Sequence, residues 1–154
     1  MPKNSKDRLD SHYSKAEESL GFLLWKAANL LQRSHAAILK PLAVTPAQFS
    51  MMTCLVYLSA SEEVTSAIIS RHAGMDKMMI SDLVKTLVKK KLIRTKPNPH
   101  DGRSFLIEPT EEGIRLTNQA VRDIEKIDQK FFACVHSTGQ LTKSLSQIVM
   151  HTSS

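Results

Sequence analysis

Residues 97–102 read Pro-Asn-Pro-His-Asp-Gly, a density of turn formers that folds the chain back on itself within six positions. Short β-inclined stretches flank this run, Leu92-Ile93-Arg94-Thr95-Lys96 before it and Ser104-Phe105-Leu106-Ile107-Glu108 after it. Together they predict one small antiparallel hairpin. Elsewhere the apolar spacing is helical, so the hairpin must be an appendage on a helical body.

The helices can be placed from their stripes and caps. From about Ser14 to Lys40, residues Leu20, Leu23, Leu24, Ala27, Leu30, Leu31 and Ile38 recur at three- and four-residue steps, predicting a long amphipathic helix that ends before Pro41. Thr45-Pro46-Ala47-Gln48 has the form of a capping box with proline at the first helical position. Phe49, Met52, Leu55 and Val56 give that second helix its buried side. Thr65 caps a short helix to about His72, Gly74 supplies a turn, and Asp76 caps another helix to about Lys90. Beyond the hairpin, Thr110 opens a long helix whose first turn holds Glu111 and Glu112 at the positive dipole end. Its stripe runs through Ala120, Ile124, Ile127 and Phe131 to Cys134 or Val135, and Gly139 is expected to break it. Leu141, Leu145, Ile148 and Val149 predict one last short helix.

Helix, glycine-containing turn, helix and basic hairpin, in that order, make a winged helix-turn-helix. The expected fold class is therefore mainly α with a small β-hairpin wing, plus a helical dimerisation layer. We expect a flexible tail over 1–13, an N-terminal dimerisation helix over 14–44, a DNA-binding lobe over 45–110 and C-terminal dimerisation helices over 111–154. The dimer is expected because the terminal helices exceed what so small a lobe needs for its own core.

Charge points the same way. The chain carries a formal +6, and the segment from Arg71 to Arg103, with nine basic and three acidic residues, accounts for all of it. Such concentration in a neutral background suits a polyanion. At 100° per residue, Ile80, Leu83, Val84 and Leu87 share the inward face of the helix after Asp76. Met78, Ser81, Asp82, Lys85 and Lys89 share the outward face, with Lys77 near its rim, and this is the expected groove-reading surface. Met78 meets thymine methyls or stays plainly exposed, and Met79 at the flank packs against the protein. Ser81 can reach a base or a phosphate, and Asp82 either accepts from a cytosine amino group or holds a lysine. At the hairpin tip, Arg103 offers a guanidinium to the minor groove. Asp101 would fix the wing by pairing with Arg103 or with Arg94.

These residues bring a family into view. Val64-Thr65, Gly74-Met75-Asp76, Leu83-Val84, Leu87, Leu92-Ile93-Arg94, Asp101-Gly102-Arg103 and Thr110-Glu111-Glu112-Gly113 occur in the order seen in MarR regulators, which the chain resembles over roughly 20–131. The resemblance implies a homodimer with interlocking terminal helices and two winged units on successive major grooves of a pseudo-palindrome. It also implies regulation, often by a small aromatic or phenolic effector between the dimer layer and the DNA-binding lobe. Phe22, Trp25 and His35 are the aromatic side chains of the first helix available to it, although core or interface packing is their expected use. Some positions depart from the pattern. Met78 and Met79 stand where serine or threonine is common, Lys91 where glycine usually ends the recognition helix, and Pro109 where leucine is usual. Gly21 occupies the place of the reactive cysteine in the peroxide-sensing branch, so redox sensing is disfavoured and Cys54 is read as a buried small residue.

Other chemistry is not encoded. The five glycines form no phosphate loop, and the six histidines show neither HExxH nor paired-cysteine spacing. No cofactor, metal site or enzymatic activity is expected. No apolar run reaches membrane length and the first fourteen residues lack a secretory pattern, so a cytoplasmic, reduced protein is expected. The reading is a sequence-specific double-stranded DNA-binding regulator, a repressor by preference. The alternative is a winged-helix module that binds DNA without sequence preference or binds an acidic protein.

Overall fold

The computed structural model describes residues 9–152. Of the expected tail, residues 1–8 lie outside the described residues. Six α-helices and one hairpin follow in order: α1 (Leu20–Leu39), α2 (Pro46–Leu58), α3 (Ser66–Ala73), α4 (Lys77–Lys89), β1 (Ile93–Pro97), β2 (Phe105–Pro109), α5 (Glu111–Phe132) and α6 (Thr138–Thr152). Short 3-10 turns at Ala16–Glu18 and Lys40–Leu42 flank α1. The first helix thus starts later than the expected Ser14, at the first residue of its apolar stripe, because Ser19 caps it by accepting from the Phe22 N–H.

The caps lie where the sequence put them. Thr45 and Gln48 form the reciprocal capping box of α2, and Thr65, Asp76 and Thr110 each accept a third-residue N–H at the start of α3, α4 and α5. Gly74 ends α3 in the left-handed region at φ 64°. Lys91, in the position expected of glycine, holds the same geometry at φ 60°. The helix end is a Schellman motif: the Lys91 N–H donates to the Val88 carbonyl at 2.9 Å and the Leu92 N–H to Leu87 at 3.0 Å. Leu87 and Leu92 are both buried, so their contact closes the motif. An L-residue there costs about 1–2 kcal/mol, which the surrounding bonds must offset. The Thr110 hydroxyl donates to the Lys91 carbonyl at 2.8 Å, and the Thr110 N–H donates to the Leu92 carbonyl at 3.0 Å.

One core joins these elements. Leu39, Met51, Met52, Leu55, Ile69, Ile80 and Leu87 are fully buried, with Ile107 and Leu116 closing it from the hairpin and α5. Gly113 is a point of close approach: a Cβ there would sit 2.0 Å from the Leu92 carbonyl oxygen. Lys90 ties α4 to the start of α2 by donating to the Ala43 carbonyl and to the buried Gln48 side chain. The hairpin pairs Ile93 with Pro109 through Pro97 with Phe105. A third edge is non-local: the Ile107 N–H donates to the Val64 carbonyl at 2.8 Å, beside an isolated bridge between Thr65 and Leu106.

The chain's end departs from expectation. The break after α5 falls at residues 133–137, not at Gly139, which is the second residue of α6. Cys134 and Val135 therefore do not extend the stripe of α5. The last helix is fifteen residues long and not short. It buries no residue, and of α1 only Leu39 is buried. Among the described residues no single helix is long and apolar enough to cross a membrane.

Candidate nucleic-acid interface

Helix α4 presents the expected two faces. Ile80, Leu83 and Leu87 are buried and Val84 is half-buried, while Lys77, Met78, Ser81, Asp82, Lys85 and Lys89 are exposed. The Asp76 cap fixes the first turn by accepting from the Met79 N–H at 2.8 Å. Met79 is 38% exposed, so its packing against the body is only partial. Asp82 holds a lysine: its carboxylate lies 3.8 Å from the Lys85 ammonium, both largely exposed, where such pairs contribute little to stability.

The wing folds toward this helix. A groove of about 650 Å³ separates them, lined by Lys77, Ser81 and Lys85 from α4 and by Asp101, Arg103 and Phe105 from the wing. Lys85 and Arg103 thus serve one concavity. Within the tip, Asp101 accepts from the Arg103 N–H at 3.0 Å, and Asn98 donates to Ser104 at 2.8 Å and accepts from the His100 N–H at 3.0 Å. Asp101 thereby holds the Arg103 backbone and leaves the guanidinium unpaired among the described residues. An unpaired cation above a groove is the arrangement that attracts phosphate or a narrow minor groove.

Arg94 stands apart. Its guanidinium donates to the Glu108 carboxylate at 2.8 Å, directly across the strand pair, and Lys96 pairs with the same carboxylate at 2.5 Å. These two bonds hold the Glu108 carboxyl below its ordinary pKa. Strand alternation turns Arg94 and Lys96 away from the face that carries Thr95. Arg94 lines a second depression with Glu62 and Glu63, whereas Thr95 lines the basic groove. The pairing of Asp101 with Arg94 does not occur. Lys89, Met78 and Asp82 lie on the open face of α4 beyond the groove's lining.

The groove also takes residues that the sequence reading missed. Thr65, Ser66 and Ala67 bring the start of α3 to its wall, and Phe105, 60% exposed, also lines it. Thr65 was legible only as a helix cap. No local signal indicates that this helix start faces the wing, because the non-local Val64–Ile107 pairing brings them together.

A separate cavity of about 620 Å³ opens between α1, α2 and α5, with His35, Phe49, Cys54, Tyr57 and Asp128, and His72 from α3, on its walls. The His35 Nε2 and Asp128 Oδ1 are 2.6 Å apart and link α1 to α5. Phe22 and Trp25 stack on each other at 6.3 Å near the start of α1 and do not line the cavity. Burial pushes the Cys54 thiol up, which disfavours the reactive thiolate. No group of three or more metal-ligating side chains occurs among the described residues.

Comparison with known proteins gives a consistent picture. A sequence profile of the MarR family matches residues 44–104. An uncharacterised HTH-type transcriptional regulator of Bacillus subtilis, YdcH, is 34% identical over 142 residues, covering 92% of this chain and 97% of its own. Among solved structures, CouR of Rhodococcus jostii bound to p-coumaroyl-CoA superposes with a TM-score of 0.76 at 22% identity, covering 89% of this chain and 96% of its own. The Mycobacterium tuberculosis regulator MosR in complex with DNA superposes with a TM-score of 0.75 at 17% identity, covering 87% and 96%. At those identities the two structures share the fold.

Proposed function

The chain belongs to the MarR family of DNA-binding transcriptional regulators, which are not enzymes, and on that premise we propose a homodimeric repressor that reads a pseudo-palindromic operator. The observation that carries this reading is the single groove shared by Lys77, Ser81 and Lys85 of α4 and by Arg103 of the wing. In it, α4 enters the major groove, with Met78 and Asp82 toward the base edges and Lys89 toward a phosphate. Arg103 enters the adjacent minor groove, Asp101 holds it in place, and Arg94 braces the hairpin through Glu108. Residues 45–110 form the DNA-binding lobe. The terminal segments, 14–44 and 111–154, form the dimer layer.

Two apolar surfaces support the dimer. Leu20, Leu24 and Trp25 of α1 are each more than half exposed, as are Ile148, Val149 and Met150 of α6. A cleft of about 800 Å³ beside Phe132, Leu141 and Leu145 separates α5 from α6. Apolar surface of this extent on both end helices fits a second copy. The pair would set two recognition helices about 34 Å apart, one turn of duplex. Repression is preferred because relatives 27% identical over 114 residues are named HTH-type transcriptional repressors.

The cavity between α1, α2 and α5 is the proposed effector site. A small aromatic ligand there would act only if it bound the DNA-competent spacing less well than another. The walls of both the dimer layer and the lobe meet in it, so occupancy can change how they sit on each other. A panel of phenolic acids that neither raises the melting temperature nor releases DNA would remove this part of the reading.

Selection of bound fragments from random duplex DNA tests the whole. The expected result is a pseudo-palindrome preferred about 10³-fold or more over random duplex at fixed salt. Tight, salt-sensitive binding with no preferred sequence would favour the non-specific alternative. No DNA binding at all would leave the protein-interaction module.

A further inference from the structure

We propose that Met78 reads the C5-methyl group of a thymine in each half-site, so that part of the operator's sequence preference is apolar. The proposal rests on the reading of α4 as the recognition helix. Met78 is the second residue of that helix and is 77% exposed. Base-edge contacts come from the N-terminal residues of a recognition helix. The first turn is anchored by the Asp76 cap, so the direction in which Met78 leaves the backbone is set.

The neighbouring residues leave it that task. Met75 and Ile80 are the buried members of this stretch, and the elements on which α4 chiefly packs, α3, β1 and α2, leave Met78 exposed. Met79, 38% exposed, extends the apolar patch from Met78 toward the protein body. Asp82 and Lys85, one turn further on, lie 3.8 Å apart and partly neutralise each other. The first exposed turn of the helix is thus apolar at its centre and basic at its rim. A methionine side chain is long and adaptable and makes no strong hydrogen bond. In the major groove the thymine methyl is the one apolar feature, the other base edges being donors and acceptors. Thymine is therefore the base class this surface fits.

The test uses the operator returned by selection. Symmetric thymine pairs are replaced in turn by deoxyuridine, which deletes the methyl and changes no hydrogen-bonding group. At one pair the full-length protein should bind roughly fourfold more weakly per half-site, about fifteenfold for both. Met78→Ala should bind the thymine and deoxyuridine duplexes alike, and Met78→Leu should keep the discrimination. Neutral deoxyuridine at every position, or an equal penalty in wild type and Met78→Ala, would overturn the proposal while leaving the operator intact. A selection that returns no preferred sequence would overturn the underlying regulator reading, and this proposal with it.

Discussion

The lobe built from α2, α3, α4 and the hairpin differs from the terminal helices in how it uses its apolar residues. In the lobe they are spent inside one chain: Met51, Met52, Leu55, Ile69, Ile80 and Leu87 are each fully buried. Of the terminal helices, α1 and α6 keep most of theirs outside, with Trp25 64% exposed and Val149 62% exposed, while α5 gives Leu116, Ala120 and Ile124 to the lobe's core. Aliphatic content is similar in both regions, so composition does not make the difference. The lobe has four short elements that enclose one another, whereas α6 meets its own chain along one side at most. A lobe whose apolar residues are buried within its own chain can carry a rigid reading surface. The exposed faces at the ends are the ones that the proposed dimer would cover.

The largest effect is expected at the ends. Leu24→Asp with Ile148→Asp alters two exposed positions, and in a monomeric protein it would be nearly neutral. Here we expect the dimer dissociation constant to rise by 10³-fold or more, since two apolar contacts become buried unpaired charges. Sedimentation should find a folded monomer, and a persistent dimer would reject the assignment of those faces.

Gly113→Ala strikes the lobe instead. Alanine is favoured in a helix by about 1 kcal/mol, but its Cβ would meet the Leu92 carbonyl at 2.0 Å, and backbone cannot rotate aside. The clash should prevail, with a net loss of about 2–3 kcal/mol visible as a lower melting temperature with dimer geometry unchanged. An unaltered melt would show that α5 can shift on the hairpin.

Next comes the reading surface. Arg103→Ala should weaken operator binding by roughly ten- to a hundredfold, about 1.4–2.8 kcal/mol, while the dimer stays intact. Undiminished affinity would remove the wing from the mechanism. Lys85→Ala should cost less, lowering affinity for all duplexes and reducing the salt slope by about one unit. A changed sequence preference with the slope kept would make Lys85 a base reader.

The smallest effect concerns Glu108. Its carboxyl is held below its ordinary value of 4.5 by Lys96 and Arg94. The associated stability is full above that ordinary value and is lost as pH falls through the lowered one. The melting-temperature gap between wild type and Glu108→Gln should therefore hold at neutral pH and close in acid. A gap that persists below the lowered value would mean that the brace works through packing and not charge.

Much of this was written locally. Thr45, Thr65, Asp76 and Thr110 announced four helix starts, because a capping side chain bonds within three residues of itself. The stripe Ile80, Leu83, Leu87 separated the two faces of α4, because helical periodicity alone assigns them. The site was half legible for the same reason: Lys77, Ser81, Lys85 and Arg103 followed from face and turn. Arg94 was grouped with them on charge, and only its pairing with Glu108 across the strands shows that it faces elsewhere. Gly139 misled because a glycine near a helix start looks, in sequence, like one past a helix end.

What the sequence determined by itself was therefore the set of elements, their order and the basic character of one segment, all consequences of interactions within a few residues. Tertiary structure decided which of those elements face one another. Ile107 meeting Val64, Gly113 meeting Leu92 and α3 meeting the wing are contacts between distant positions, selected by packing of the whole chain. Steric fit and backbone pairing at long range leave no periodic trace in a single sequence, and they are what turned a list of cations into one groove.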